Sequence, residues 1–322
     1  MSARVDETGP VAMTGLPRPL EAIARRPRLA ALLGAMCIAF SGIFYRYADV
    51  SPSTGTVFRC LFGLPILLGV AFLERRRFGP LPLATIRLAA IAGIFFAGDL
   101  TFWHHAIEAV GAGLATVLGN LQVLVVGFVA WAVQGERPSR STLIAVPIVL
   151  VGVALIAGVG GGAYGESPVL GVVLGLLTAL CYAGYLIVIR RGGHDLRRPA
   201  GPVAIATAST AATAVLIGLL VGDLDPLPSP PSLAWLGLLG VTSQSAGYLL
   251  ISLSLPRLPA VLTSIILLAQ PVATVGLSMA LLAEAPSAAQ LVGVALVVGG
   301  IAVVTLGGRP AAIRSRPAAA ES

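Results

Sequence analysis

The chain has 322 residues, of which 57% are hydrophobic and 11% charged, with a mean hydropathy of +0.93 and a formal net charge of +7. A soluble globular domain carries roughly 25% charged residues, so this composition excludes one and places the chain in a bilayer. Hydrophobic runs of about 20 residues, each long enough to cross about 30 Å of hydrocarbon as a helix, recur from end to end, and the alternating strands of a membrane barrel are absent. The expected fold class is therefore an all-α polytopic membrane protein of ten transmembrane helices.

Residues 1–28 carry Arg4, Arg18, Arg25, Arg26 and Arg28 among prolines without an apolar core, which reads as a basic cytoplasmic tail and not a signal peptide. The first two spans are expected at 29–48 and 54–73. Arg59 falls within about 8 Å of the outer end of the second, where snorkelling to the headgroups explains it; attraction of an anionic substrate is the alternative. The third span, 86–107, runs into GDLTFWHHAIEAVGAG (98–113), with one Asp, two His and one Glu close together. At 1.5 Å per residue Asp99 lies about 20 Å from the inner boundary, whereas His104 and His105 lie roughly 27–28 Å from it. A carboxylate in hydrocarbon costs at least a few kcal/mol, so Asp99 must face the bundle interior or a wet cavity, or be protonated. It is either a substrate-binding and proton-coupling group or a buried carboxyl bonded to a neighbouring helix. At 100° per residue Phe95, Phe102, Trp103 and Ala106 share its face, whereas His104 and Glu108 point away and read as an interfacial polar pair. No third ligand accompanies that pair, so no metal is expected.

The fourth span, 111–134, places Asn120 and Gln122 about 14–17 Å below its outer end, and the ninth, 260–283, places Gln270 at about 15 Å from the other side. Amides at that depth either bind a polar substrate or tie helices together. Pro271 frees backbone groups that could line a cavity. The remaining spans are 141–160, 169–190, 201–222, 233–255 and 288–307, with an external linker at 161–168 and a cytoplasmic tail at 308–322. Tyr182, Tyr185 and Tyr248, with Trp103, are candidates for the aromatic walls of a substrate site or for simple packing. Cys37, Cys60 and Cys181 all fall in apolar spans and read as small buried residues.

The alternation of spans puts 19 of the 21 basic residues on one side, leaving Arg46 and Arg59 opposite; the positive-inside rule then sets both termini in the cytoplasm, and the basic charge is an orientation signal with no nucleic-acid partner implied. The chain also repeats. GLATVLGNLQVLVVGFVAWAVQGERPS (113–139) aligns with AVLTSIILLAQPVATVGLSMALLAEAPS (260–287) at an offset of 148, pairing Gln122 with Gln270, Glu136 with Glu284, Pro138 with Pro286 and Ser139 with Ser287. GAMCIAFSGIFYRY (34–47) likewise resembles TALCYAGYLIVIRR (178–191). Each unit, 29–160 and 169–307, thus holds five spans. An odd number inverts the second unit, an arrangement that recurs in secondary transporters with a site near the midplane.

The ten spans, the "GERPS" and "AEAPS" ends of the fourth and ninth, and the Gly-rich fifth and tenth resemble the EamA-type branch of the drug/metabolite transporter superfamily over about residues 29–307. The resemblance implies a ten-helix basket around a central cavity and outward movement of a small, often amino-acid-like metabolite. It departs from the family at Val123, where a proline is common; Pro271 occupies the matching place. No cofactor is implied. The partners expected are the substrate, the lipid bilayer and, for coupling, protons. The chain has no lysine and no GxxxxGK[ST], GxSxG or HExxH motif, and the first span lacks the embedded Glu of the four-helix multidrug pumps, so ATP drive and familiar hydrolytic chemistry are not expected. The other readings are an intramembrane enzyme using Asp99 and a non-transporting scaffold.

Overall fold

The computed structural model describes residues 26–134, 140–159, 161–192, 195, 197–254, 258 and 260–307, and no strand occurs among them. A backbone surrounded by lipid must satisfy its own hydrogen bonds, and helices do so within one segment. Two helices, α1 (Pro27–Ala39) and α2 (Ser41–Ala48), form the first long stretch. They are followed by α3 (Pro52–Phe78), α4 (Leu83–Val110), α5 (Ala112–Gly119), α6 (Gln122–Gln134) and α7 (Arg140–Ile156). The second half holds α8 (Pro168–Gly192), α9 (Ala200–Val221), α10 (Pro230–Leu239), a π-helical segment (Gly240–Gly247), α11 (Tyr248–Ser254), α12 (Ala260–Leu281) and α13 (Ala288–Gly307).

Among the described residues eight stretches are long and apolar enough to cross a bilayer, and two shorter apolar helices, Arg140–Ile156 and Ile266–Leu281, accompany them. The chain is thus a multi-pass membrane protein. The fourth expected span is not one helix but two, α5 and α6, and the fifth ends at Ile156. Of the repeated motif ends, Glu136, Pro138 and Ser139 lie outside the described residues.

With apolar surface on all sides, packing and not burial from water selects the contacts, and small residues let backbones approach closely. The most extensive pairs are α4 with α8, α7 with α13, and α9 with both α3 and α4. A side chain at Gly93 of α4 would meet the Ala206 carbonyl of α9 at 2.3 Å, and one at Gly152 of α7 would meet the Gly293 carbonyl of α13 at 2.7 Å.

Carboxylates then fasten helix ends across the molecule. Glu74, near the end of α3, accepts hydrogen bonds from the amides of Ala200 and Gly201 at the start of α9, both at 2.9 Å. Asp223, just past the end of α9, accepts one from the Ser53 amide at the start of α3, at 3.2 Å. The two helices are therefore antiparallel and cap each other at both ends. Glu284 does the same for α5, accepting from Ala112 at 2.6 Å and Gly113 at 3.2 Å. Each cap satisfies amides that a helix start leaves unpaired and sets a negative charge at the positive end of the helix dipole.

Candidate functional site

Four stretches interrupt or strain the regular α-helical hydrogen bonding. α1 gives way to α2 at Phe40, α5 to α6 at Asn120 and Leu121, the eight residues Gly240–Gly247 are π-helical, and Pro271 sits inside α12. Backbone groups loosened at membrane depth are tolerated where protein or a wet cavity receives them. One cavity meets all four departures: Ser41, Asn120, Tyr248 and Gln270 line it from the broken stretches. α3 contributes Arg59, α4 contributes Asp99 and Trp103, and α8 contributes Thr178 and Tyr182. About 110 Å³ is open there to the centres of water molecules, against roughly 10–15 Å³ needed to seat one water.

The break in the fourth stretch needs no proline. The Asn120 side-chain amide donates to the Thr116 carbonyl at 2.8 Å and its backbone amide is shared between Thr116 and Val117, so Asn120 itself closes α5. This answers the departure at Val123. It also resets the helical phase, and Gln122, which opens α6, does not line the cavity, unlike its repeat partner Gln270. Tyr185 is buried behind the wall, stacked on Phe96 at 4.7 Å and on Tyr182 at 5.8 Å.

Asp99 is 7% exposed and faces the cavity, with no hydrogen bond to its carboxylate among the described residues; its backbone carbonyl accepts from the Thr178 hydroxyl at 3.5 Å. Of its predicted face-mates, Trp103 and Ala106 are buried, whereas Phe95 is exposed and Phe102 half-buried.

Arg59 overturns the snorkelling expectation. It is 2% exposed, its Nε and Nη1 have no hydrogen-bond partner among the described residues, and its guanidinium lies 5.9 Å from the centroid of the Trp103 ring, within cation–π range. The reason is the face it occupies. Gly55 and Gly63, one turn to either side, are pressed against Tyr45 and Gln244, so this stripe of α3 is packed into the protein and gives no route to the headgroups. An arginine with glycine at i−4 and i+4 was the signal available in the sequence. No ion pair joins Arg59 to Asp99 among the described residues, although both line the same cavity.

His104 and Glu108 are not the interfacial pair expected. His104 is fully buried, its ring stacked on Tyr45 at 4.0 Å and its Nδ1 placed 2.9 Å from the Thr56 hydroxyl and 3.2 Å from the Pro52 carbonyl. Glu108 instead accepts from the Tyr45 hydroxyl at 3.0 Å and faces His105 Nδ1 at 3.5 Å. The histidine three residues before Glu108 reaches it, and the one four residues before turns inward.

A match to the EamA-like transporter family covers residues 26–158 and, separately, 169–306. The chain belongs to that family. Among relatives of this EamA-like protein, the uncharacterized transporter YwfM of Bacillus subtilis is 24% identical over 68% of this chain and 73% of its own. The uncharacterized transporter sll1319 of Synechocystis sp. is 26% identical over 64% of this chain and 62% of its own. A solved crystal structure with 20% identity superposes with a TM-score of 0.60 over 88% of this chain and 99% of that one, which places the EamA-like chain in that fold. Family and relatives together point to a membrane transporter and not an enzyme.

Proposed function

We propose that this EamA-like protein is a secondary transporter that moves a small amino-acid-like metabolite, bearing both a carboxylate and an ammonium group, out of the cell by alternating access. The observation that carries this reading is the presence of Arg59 and Asp99, both buried, in one cavity without pairing to each other. An unpaired buried ion costs several kcal/mol even after relaxation. A ligand with opposite charges at its two ends offsets both penalties at once, the Arg59 fork taking the carboxylate and Asp99 the ammonium. Each charge in the loaded site is then paired, which lowers the cost of holding it at membrane depth. Asn120 and Gln270 supply neutral donors and acceptors, and Trp103, Tyr182 and Tyr248 supply apolar walls. Asp99 is also the group placed to exchange a proton in the cycle.

The movement is assigned to two inverted five-helix units, 29–160 and 169–307, crossing the cell membrane ten times with both termini cytoplasmic. The separate family matches to the two halves and the reciprocal caps between α3 and α9 support the repeat. Purified protein in liposomes loaded with labelled amino acids tests the reading. Unaltered substrate is expected to cross, and Arg59→Gln and Asp99→Asn are each expected to slow uptake sharply at substrate concentrations below the unsubstituted protein's KM. Conversion of the substrate in detergent, or full transport by both variants, would overturn it.

A further inference from the structure

A second cavity, of about 520 Å³, opens on the side of the protein between α3, the start of α4 and the start of α9. Its chemistry is graded along the helix axes. Deep in the groove the walls are Leu68, Phe72, Ile86 and Ala204, and Leu68, Phe72 and Ile86 are all exposed in a face that lipid must cover. Further along α3, about 10 Å from Leu68 and about 4.5 Å from Phe72, the mouth is formed by Arg75 and Arg198 with the loop through Gly79 and Pro80.

The acidic groups near this mouth are already engaged. Both oxygens of Glu74 take amides of α9. Asp195 binds Arg197 through Nε and Nη2 and binds Arg198 through Nε, all within 2.9–3.1 Å. The Arg197 hydrogen bonds hold its carboxyl down to about 2, so it stays ionised and keeps Arg198 in place across the physiological range. Arg198 Nη1 donates to the Pro80 carbonyl at 3.1 Å, which braces the loop at the rim. Among the described residues nothing pairs with the Arg75 side chain. Arg76 stacks over Phe72 and Arg77 over Phe78 beside it, leaving the rim with a surplus of positive charge.

We infer that this groove is a binding site for one anionic glycerophospholipid, its phosphate held at the Arg75 and Arg198 rim and an acyl chain lying along Leu68, Phe72 and Ile86. An apolar trough about 10 Å deep under a basic rim, facing the bilayer, matches a lipid in both polarity and charge. A soluble phosphate would use the rim and leave the trough uncovered.

Native mass spectrometry of the full-length protein, offered equimolar phosphatidylglycerol and phosphatidylcholine with matched chains, tests this. One phosphatidylglycerol is expected to be retained in preference by about an order of magnitude. Arg75→Gln is expected to reduce the preference about fivefold, the effect of one arginine at an anionic surface. Leu68→Trp, which fills the trough without touching charge, should release the same lipid, and Arg140→Gln, in another helix, should change nothing. The inference fails if no preference is seen, if it survives both Arg75→Gln and Leu68→Trp, or if glycerol 1-phosphate displaces the lipid at equal concentration.

Discussion

Arg59 and Asp99 differ in how openly the sequence declares them. A carboxylate well inside an apolar run stands out by its cost alone, and the 100° rotation correctly parts Asp99 from His104. Arg59 lies near a span boundary, and a span starting at residue 54 makes it superficial, whereas the helix is capped at Ser51 and its glycine-flanked stripe is packed inward. Gln122 shows the opposite failure: the 148-residue offset pairs it with Gln270, yet the break at Asn120 turns it out of the lining. Repeats align sequence positions, and a break decides which of them face inward. If Arg59 holds a carboxylate by charged hydrogen bonds worth about 1.5–3 kcal/mol, Arg59→Gln should raise the KM for a zwitterionic substrate roughly 10- to 100-fold in proteoliposome uptake. Arg59→Lys keeps the charge without the planar fork and should fall between. Equal loss for an amine substrate without a carboxylate would mean that Arg59 supports the wall and not the ligand.

At the scale of elements, the carboxylate caps had no local signature. Glu74 lies in a Glu-Arg-Arg-Arg run and Glu284 in Ala-Glu-Ala-Pro-Ser, which read only as helix ends, while the amides they serve belong to residues 126 and 172 positions away. Glu284 is the more exacting of the two. It is buried, and Gly111, with φ of +87°, presents no side chain where a Cβ would come within 2.6 Å of the Glu284 carboxyl. Glu284→Ala leaves the amides of Ala112 and Gly113 without their acceptor, at about 1–3 kcal/mol each, and should lower the midpoint of thermal unfolding in detergent. Glu284→Gln keeps one acceptor oxygen and should recover part of that loss. Gly111→Ala meets both the left-handed backbone and the carboxylate, so it should destabilise too, by about 1–3 kcal/mol from the backbone alone. The two substitutions should combine to less than their sum, because removing Glu284 removes the clash and leaves only the strain. Strict additivity would place the origin of both effects elsewhere.

For the whole molecule, the packing itself behaves as an exchange of halves predicts. Under that exchange α4 against α8 corresponds to α11 against α1, α1 against α12 corresponds to α8 against α5, and α3 against the π-helical segment corresponds to α9 against α4; all six contacts occur. The pairs α3 with α9, α5 with α12 and α7 with α13 map onto themselves, as contacts on a two-fold axis must. An axis in the membrane plane would invert the halves and let one rock against the other. Hydrogen bonds between loops and helix ends fix which loops share an end of the molecule. Arg198 binds the Pro80 carbonyl, which joins the loops after α3 and after α8, whereas Asp223, past α9, reaches the opposite end of α3 at Ser53. The loops after α3 and after α9 therefore lie at opposite ends of α3, and inverted halves would set them on opposite membrane faces. In a background with Cys37, Cys60 and Cys181 replaced, Leu227→Cys should react with an impermeant maleimide on intact cells, and Pro80→Cys only after permeabilisation. The arginine-rich Pro80 end is the one that the positive-inside rule retains in the cytoplasm. Reversed labelling would overturn only the orientation. Labelling of both positions from the same face would make the repeats parallel, and a cavity exposed alternately by inverted halves would lose its basis.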